Sequence, residues 1–127
     1  MRNTVLIIDD QWSMQELARL VLQEAGYRVL VAGDAVTGLS LARTEEPSAI
    51  VLDALMPCRD AARLLHELRE GRQTAVIPIV LITSDVTGAE LAREVAIAKT
   101  KCLRKPFPAP KLLTVVNRAI RKLPLAG

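Results

Sequence analysis

Five short strand-like runs, the first four mainly aliphatic, recur along this chain of 127 residues, each followed by a longer stretch, and that alternation constrains the fold more than any other feature. The runs are TVLIID (Thr4 to Asp9), YRVLVA (Tyr27 to Ala32), AIVLD (Ala49 to Asp53), IVLIT (Ile79 to Thr83) and KCLRK (Lys101 to Lys105). In the first four, nearly continuous Val, Ile and Leu with little polar alternation is the pattern of strands buried on both faces. Strands of that kind belong to a parallel sheet whose crossovers are helical and right-handed.

The intervening stretches carry the helical signals. From Trp12 to Ala25 the apolar residues Met14, Leu17, Ala18, Val21 and Leu22 fall at helical spacing, and Gly26 supplies a C-terminal stop. Asp34 can cap a helix from Ala35 to about Thr44, which Pro47 ends. Asp60 can cap AARLLHELRE, with Gly71 beyond it and Pro78 opening the fourth strand. GAELAREVAIAK follows Thr87, and APKLLTVVNRAIRKL closes the chain. The expectation is an α/β fold of five parallel strands and five helices, with residues 1–127 forming a single domain.

Composition narrows the function. Half the residues are apolar while aromatics make up 2%, so the core is aliphatic. No apolar stretch approaches a membrane span, and MRNTVLIIDD lacks the form of a signal peptide, which predicts a cytoplasmic protein. Cys58 and Cys102 match no metal-ligand spacing and are expected as free thiols. The net charge of +3 is spread along the chain apart from a modest cluster (Lys111, Arg118, Arg121, Lys122). With few aromatics for stacking, it reads as a solvated face without nucleic-acid or membrane binding.

Open parallel sheets bind ligands beyond the carboxyl ends of their strands. Those ends carry Asp9 and Asp10 after the first run, Asp53 after the third, Thr83 and Ser84 after the fourth and Lys105 after the fifth. Three carboxylates at one sheet edge repel by roughly 4 kcal/mol per close pair at a protein surface. A hard divalent cation held by oxygen ligands, Mg²⁺, resolves the conflict. Lys105 and Thr83 suit the oxygens of a phosphoryl group, and Asp53, between metal and lysine, suits a nucleophile that forms an acyl phosphate. No Walker loop or Gly-rich nucleotide cradle accompanies the set.

In this arrangement IIDD, VLDALMP, LIT and KPF together resemble the receiver domain of two-component response regulators, and the resemblance spans essentially the whole chain. It implies a flavodoxin-like sheet in the order 2-1-3-4-5 and phosphorylation on Asp53 by a histidine kinase or phosphotransfer protein. Asp9, Asp10, Asp53 and the backbone carbonyl of Leu55 would hold Mg²⁺. Thr83 would be the switch hydroxyl, Lys105 the phosphate-contacting lysine, and Pro106 the proline that follows a cis peptide bond. Such a domain is not an enzyme beyond its own phosphotransfer and autodephosphorylation. Its output is a partner-binding face, a fused output domain or a homodimer through the fourth helix, fifth strand and fifth helix.

The chain departs from the family pattern at three positions. Ala61 stands where Gly often ends the MPxxxG pattern, Ser84 where Ala is usual, and Cys102 where a switch Tyr or Phe is usual. A small thiol at that place is expected to sit buried. Two rival functions remain: a receiver-like scaffold unregulated by phosphate, and a phosphohydrolase using Asp53. The second needs an acid two residues on, where Leu55 stands.

Overall fold

The computed structural model describes residues 3–54, 60–83 and 100–121. Five parallel strands, β1 (Thr4–Ile8), β2 (Arg28–Ala32), β3 (Ala49–Asp53), β4 (Ile79–Thr83) and β5 (Thr100–Arg104), form one sheet in the order β2-β1-β3-β4-β5. This is the predicted order. Four helices lie among the described residues: α1 (Trp12–Glu24), α2 (Ala35–Glu45), α3 (Asp60–Glu70) and the C-terminal α4 (Ala109–Arg121). The helix predicted over GAELAREVAIAK lies outside the described residues, as do Leu55, Cys58 and Ser84.

Burial follows strand position. The three internal strands bury all but one of their residues, which is why their sequences run as unbroken aliphatics. The edge strands carry the exposed charges: Arg28 on β2, Lys101 and Arg104 on β5. Alternate side chains divide the core into two layers. Leu6, Ile8, Ile50, Leu52, Ile79 and Leu81 face α2 and α3, and Ala61, Leu64, Leu65 and Leu68 close that layer. Val5, Ile7, Val51, Val80 and Ile82 face α1 and α4, meeting Met14, Ala18, Leu22, Leu112 and Val116.

The termini of the elements match their sequence signals. Asp34 accepts the Thr37 N–H at 2.7 Å and so caps α2. Gly26, with φ +97°, ends α1 through a turn that the Gln23 carbonyl closes at 2.9 Å. Ala61 is buried in the core of α3, so its methyl is used in packing where glycine would leave a gap.

Cys102 corrects an expectation: it is exposed rather than buried. On the edge strand β5 only Leu103 faces the core, and Lys101, Cys102 and Arg104 all reach solvent. Arg69 braces the opposite end of the sheet. Its guanidinium donates to the carbonyls of Ala75 and Ile77 at 3.1 and 2.9 Å and to Thr100 Oγ1 at 2.9 Å, tying α3 and the segment before β4 to the start of β5.

Candidate metal and phosphoryl site

Strand register builds the site. Ile8 lies beside both Ala32 and Leu52, so Asp9, one residue on, emerges level with Asp53. Asp53 in turn pairs with Ile82, and Thr83 with Arg104, which brings Thr83 and Lys105 to the same edge. Backbone bonds just past the strands hold this end together: Asp9 N–H to Ala32 O at 3.0 Å, Ala54 N–H to Ile82 O at 2.8 Å and Lys105 N–H to Thr83 O at 2.7 Å. Four separate parts of the chain therefore converge, as the strand-end rule requires. The Lys105–Pro106 peptide is cis, as the KPF pattern predicts.

Asp9, Asp53 and Thr83 are each no more than 3% exposed, whereas Asp10 reaches solvent. One carboxylate oxygen from each of Asp9, Asp10 and Asp53 lies within 4.8 Å of the others. Ionised pairs at that distance repel by about 3 kcal/mol at the effective dielectric of a protein. The consequence falls on Asp9, whose pKa is pushed up from 3.8 to about 6. Burial is the largest cause, and the charges of Asp53 and Asp10 add to it, against the opposing pull of the Gln11 N–H and the Lys105 charge. A partly buried, mutually repelling cluster of oxygen donors fits a hard divalent cation, which would be held by Asp9, Asp10 and Asp53.

Two contacts with Asp9 carry no signal in the acidic motif itself. The Gln11 N–H donates to Asp9 Oδ1 at 2.8 Å, and Gln15 Nε2 donates to the Asp9 carbonyl at 2.6 Å. Gln15 thus locks the turn between β1 and α1; its only sequence signal is a polar residue one helical turn beyond Gln11. Gly38 matters for a different reason: a Cβ there would lie 2.7 Å from Ile8 Cδ1, so α2 approaches β1 closely right behind the acids. Trp12, beside the acidic pair in sequence, is 73% exposed, and His66 is exposed on α3. Next to Lys105 a shallow concavity of about 370 Å³ is bordered by Met14, Leu17 and Phe107.

The family model for the response regulator receiver domain matches residues 5–117. The chain is 28% identical over 127 residues to the alkaline phosphatase synthesis transcriptional regulatory protein PhoP of Bacillus subtilis, covering 100% of this chain and 52% of that protein. It is 31% identical over 119 residues to the sensor histidine kinase CheAY of Helicobacter pylori, covering 92% of this chain and 15% of that one. The high-resolution structure of the chemotaxis response regulator CheY4 of Vibrio cholerae superposes with a TM-score of 0.84 at 26% identity, covering 94% of this chain and 99% of that one. The chain spans about half the length of PhoP, and less of CheAY. With a matching sheet order, a matching strand-end cluster and a family match over most of its length, the chain belongs to the response regulator receiver domain family.

Proposed function

We propose that residues 1–127 form one receiver domain that accepts a phosphoryl group on Asp53 in a Mg²⁺-dependent reaction and thereby switches a partner-binding face. The observation that carries this reading is the convergence of Asp9, Asp10 and Asp53 within 4.8 Å at the sheet edge that also receives Thr83 and Lys105. Bound Mg²⁺ would supply charge neutralisation for an incoming phosphoryl group. Asp9, Asp10, Asp53 and the Leu55 carbonyl are its proposed ligands.

The chain's own groups do the rest. Asp53, at the end of the buried strand β3, offers a carboxylate oxygen to phosphorus as the bond to the donor breaks, and the departing donor group carries away that bond's electron pair. The Lys105 ammonium pairs with the phosphoryl oxygens, and the Thr83 hydroxyl donates to them once they are in place. The acyl phosphate adds about −1.5 to −2 charge, and Thr83 and Lys105 move toward it, shifting a two-state equilibrium of the loops they carry. Turnover is confined to the domain's own phosphorylation and dephosphorylation.

The donor is a histidine kinase or a phosphotransfer protein, for which the concavity bordered by Met14, Leu17 and Phe107 offers apolar purchase beside the site. A second reading is supported by the length comparison. The chain covers 52% of PhoP, so it can be the receiver of a longer regulator whose output is a fused domain. Action within the cytoplasm agrees with the finding that no described helix is long and apolar enough to cross a membrane.

The test is incubation with a small acyl phosphate, followed by intact mass. Wild type with Mg²⁺ gains one phosphoryl group, whereas wild type with chelator and Asp53→Asn do not. Equal phosphorylation of Asp53→Asn, or none of wild type, leaves the unregulated scaffold as the better reading.

A further inference from the structure

Helix α1 starts without a side-chain cap: Gln11 stands at the cap position in extended backbone, and its side chain makes no capping bond. Gln15 supplies a different fastening. Its own N–H closes the first helical turn on the Gln11 carbonyl at 3.0 Å, while its side chain runs back past the cap and Nε2 donates to the Asp9 carbonyl at 2.6 Å. Only the nitrogen end of the amide can meet a carbonyl oxygen, so the bond fixes the amide's orientation. The turn after β2 confines the same group, since a Cβ on Gly33 would lie 3.7 Å from Nε2, in ordinary contact.

This bond bears differently on the two acids. Asp9 has two other anchors: its N–H donates to the Ala32 carbonyl at 3.0 Å, and its Oδ1 accepts the Gln11 N–H at 2.8 Å. Its carboxylate therefore keeps its place without Gln15. Asp10 reaches solvent, and its backbone departs from the Asp9–Asp10 peptide, whose oxygen is the atom that Gln15 grips. A peptide is planar, so holding its oxygen holds the plane from which Asp10 leaves. That plane matters because one Asp10 oxygen lies within 4.8 Å of those of Asp9 and Asp53, close enough for the three to meet one cation.

We propose that Gln15 is a positioning residue for the metal: by holding the Asp9–Asp10 peptide it aims the Asp10 carboxylate and so sets the Mg²⁺ affinity of the site. The proposal rests on the reading of Asp9, Asp10 and Asp53 as Mg²⁺ ligands. Gln15 acts through the backbone of the ligands, and loss of such an orienting bond costs about tenfold or more in metal affinity.

The test is a series of thermal melts across Mg²⁺ concentration, with NaCl holding the ionic strength constant. Tm rises as Mg²⁺ loads the folded state, so displacement of the curve along the concentration axis reads affinity, while Tm in chelator reads the fold. Gln15→Met keeps the length of the side chain but cannot donate, and Gln15→Asn keeps an amide too short to reach. Each displaces the curve to about tenfold higher Mg²⁺. In an Asp10→Asn background the same substitutions displace it by less than about twofold, because the carboxylate that Gln15 aims is gone. Amide spectra of the Mg²⁺-free protein give a second reading, which decides the matter if Asp10→Asn binds too weakly to titrate: the Asp10 resonance shifts in both Gln15 variants. The proposal is overturned if Tm in chelator falls while the Mg²⁺ curve stays in place, if the displacement is as large in the Asp10→Asn background, or if the Asp10 resonance does not move. Wild type that gains no Tm from Mg²⁺ removes the metal reading and the proposal together. Wild type and both Gln15 variants that gain Tm at the same concentrations remove the role of Gln15 alone.

Discussion

Asp9→Asn should make the metal-free protein more stable, although it removes a residue of the site. Asp9 is 2% exposed and its carboxyl pKa rises from 3.8 to about 6 on folding, chiefly through burial. At about 1.4 kcal/mol per pKa unit, ionising it in the folded protein costs up to about 3 kcal/mol. The amide keeps an oxygen for the Gln11 N–H, so the 2.8 Å bond has an acceptor. Allowing for relaxation of the loop, the expected gain is about 2 kcal/mol at neutral pH, a rise of about 8 °C in Tm for a domain of this size.

The sign fixes the pH dependence. Between pH 3.8 and about 6 the folded wild type holds a proton that the unfolded chain has released. Wild-type stability therefore falls relative to the variant as pH rises through that window. The difference is absent below the window and constant above it. Thermal melts in chelator across pH, and again with Mg²⁺, provide the assay. Saturating Mg²⁺ should raise the wild-type Tm and move the variant much less. Equal gains below and above the window, or destabilisation at neutral pH, would refute the assignment of strain to an ionised Asp9.

Three other outcomes follow from particular contacts. Gly38→Ala gains up to about 1 kcal/mol in helix propensity but places a Cβ 2.7 Å from Ile8 Cδ1; overpacking of about 1–3 kcal/mol wins, and denaturant melts should show a net loss near 1 kcal/mol. Arg69→Met removes at least three hydrogen bonds, among them those that tie α3 and the segment before β4 to β5, and should cost about 2 kcal/mol in the same assay; a neutral result would mean those carbonyls are satisfied by water. Trp12 opens α1 directly beyond the Gln11 turn and is 73% exposed, so its fluorescence should change on Mg²⁺ titration in wild type and remain flat in Asp53→Asn.

The sheet was legible because β1, β3 and β4 are internal, and two-sided burial leaves unbroken aliphatic runs that few other contexts produce. The acids were legible because strand ends in such a sheet are where polar groups gather. Cys102 was misread for the converse reason: β5 is an edge strand, and residue type alone does not say which side of an edge strand meets water. Gln15 and Arg69 were invisible because a side chain that bonds to a backbone carbonyl leaves no complementary residue in the sequence. The close approach at Gly38 depends on how α2 seats on β1, which no local pattern encodes.

The most direct measurement maps the phosphoryl group itself. Protein treated with a small acyl phosphate and Mg²⁺ is reduced with borohydride, which converts an aspartyl phosphate to homoserine, and is then digested for peptide mass analysis. The account predicts homoserine in place of Asp53 and unmodified Asp9 and Asp10, with the signal abolished by chelator. Homoserine in place of Asp9 or Asp10, or its formation at Asp53 without Mg²⁺, would contradict the assignment of nucleophile and metal ligands.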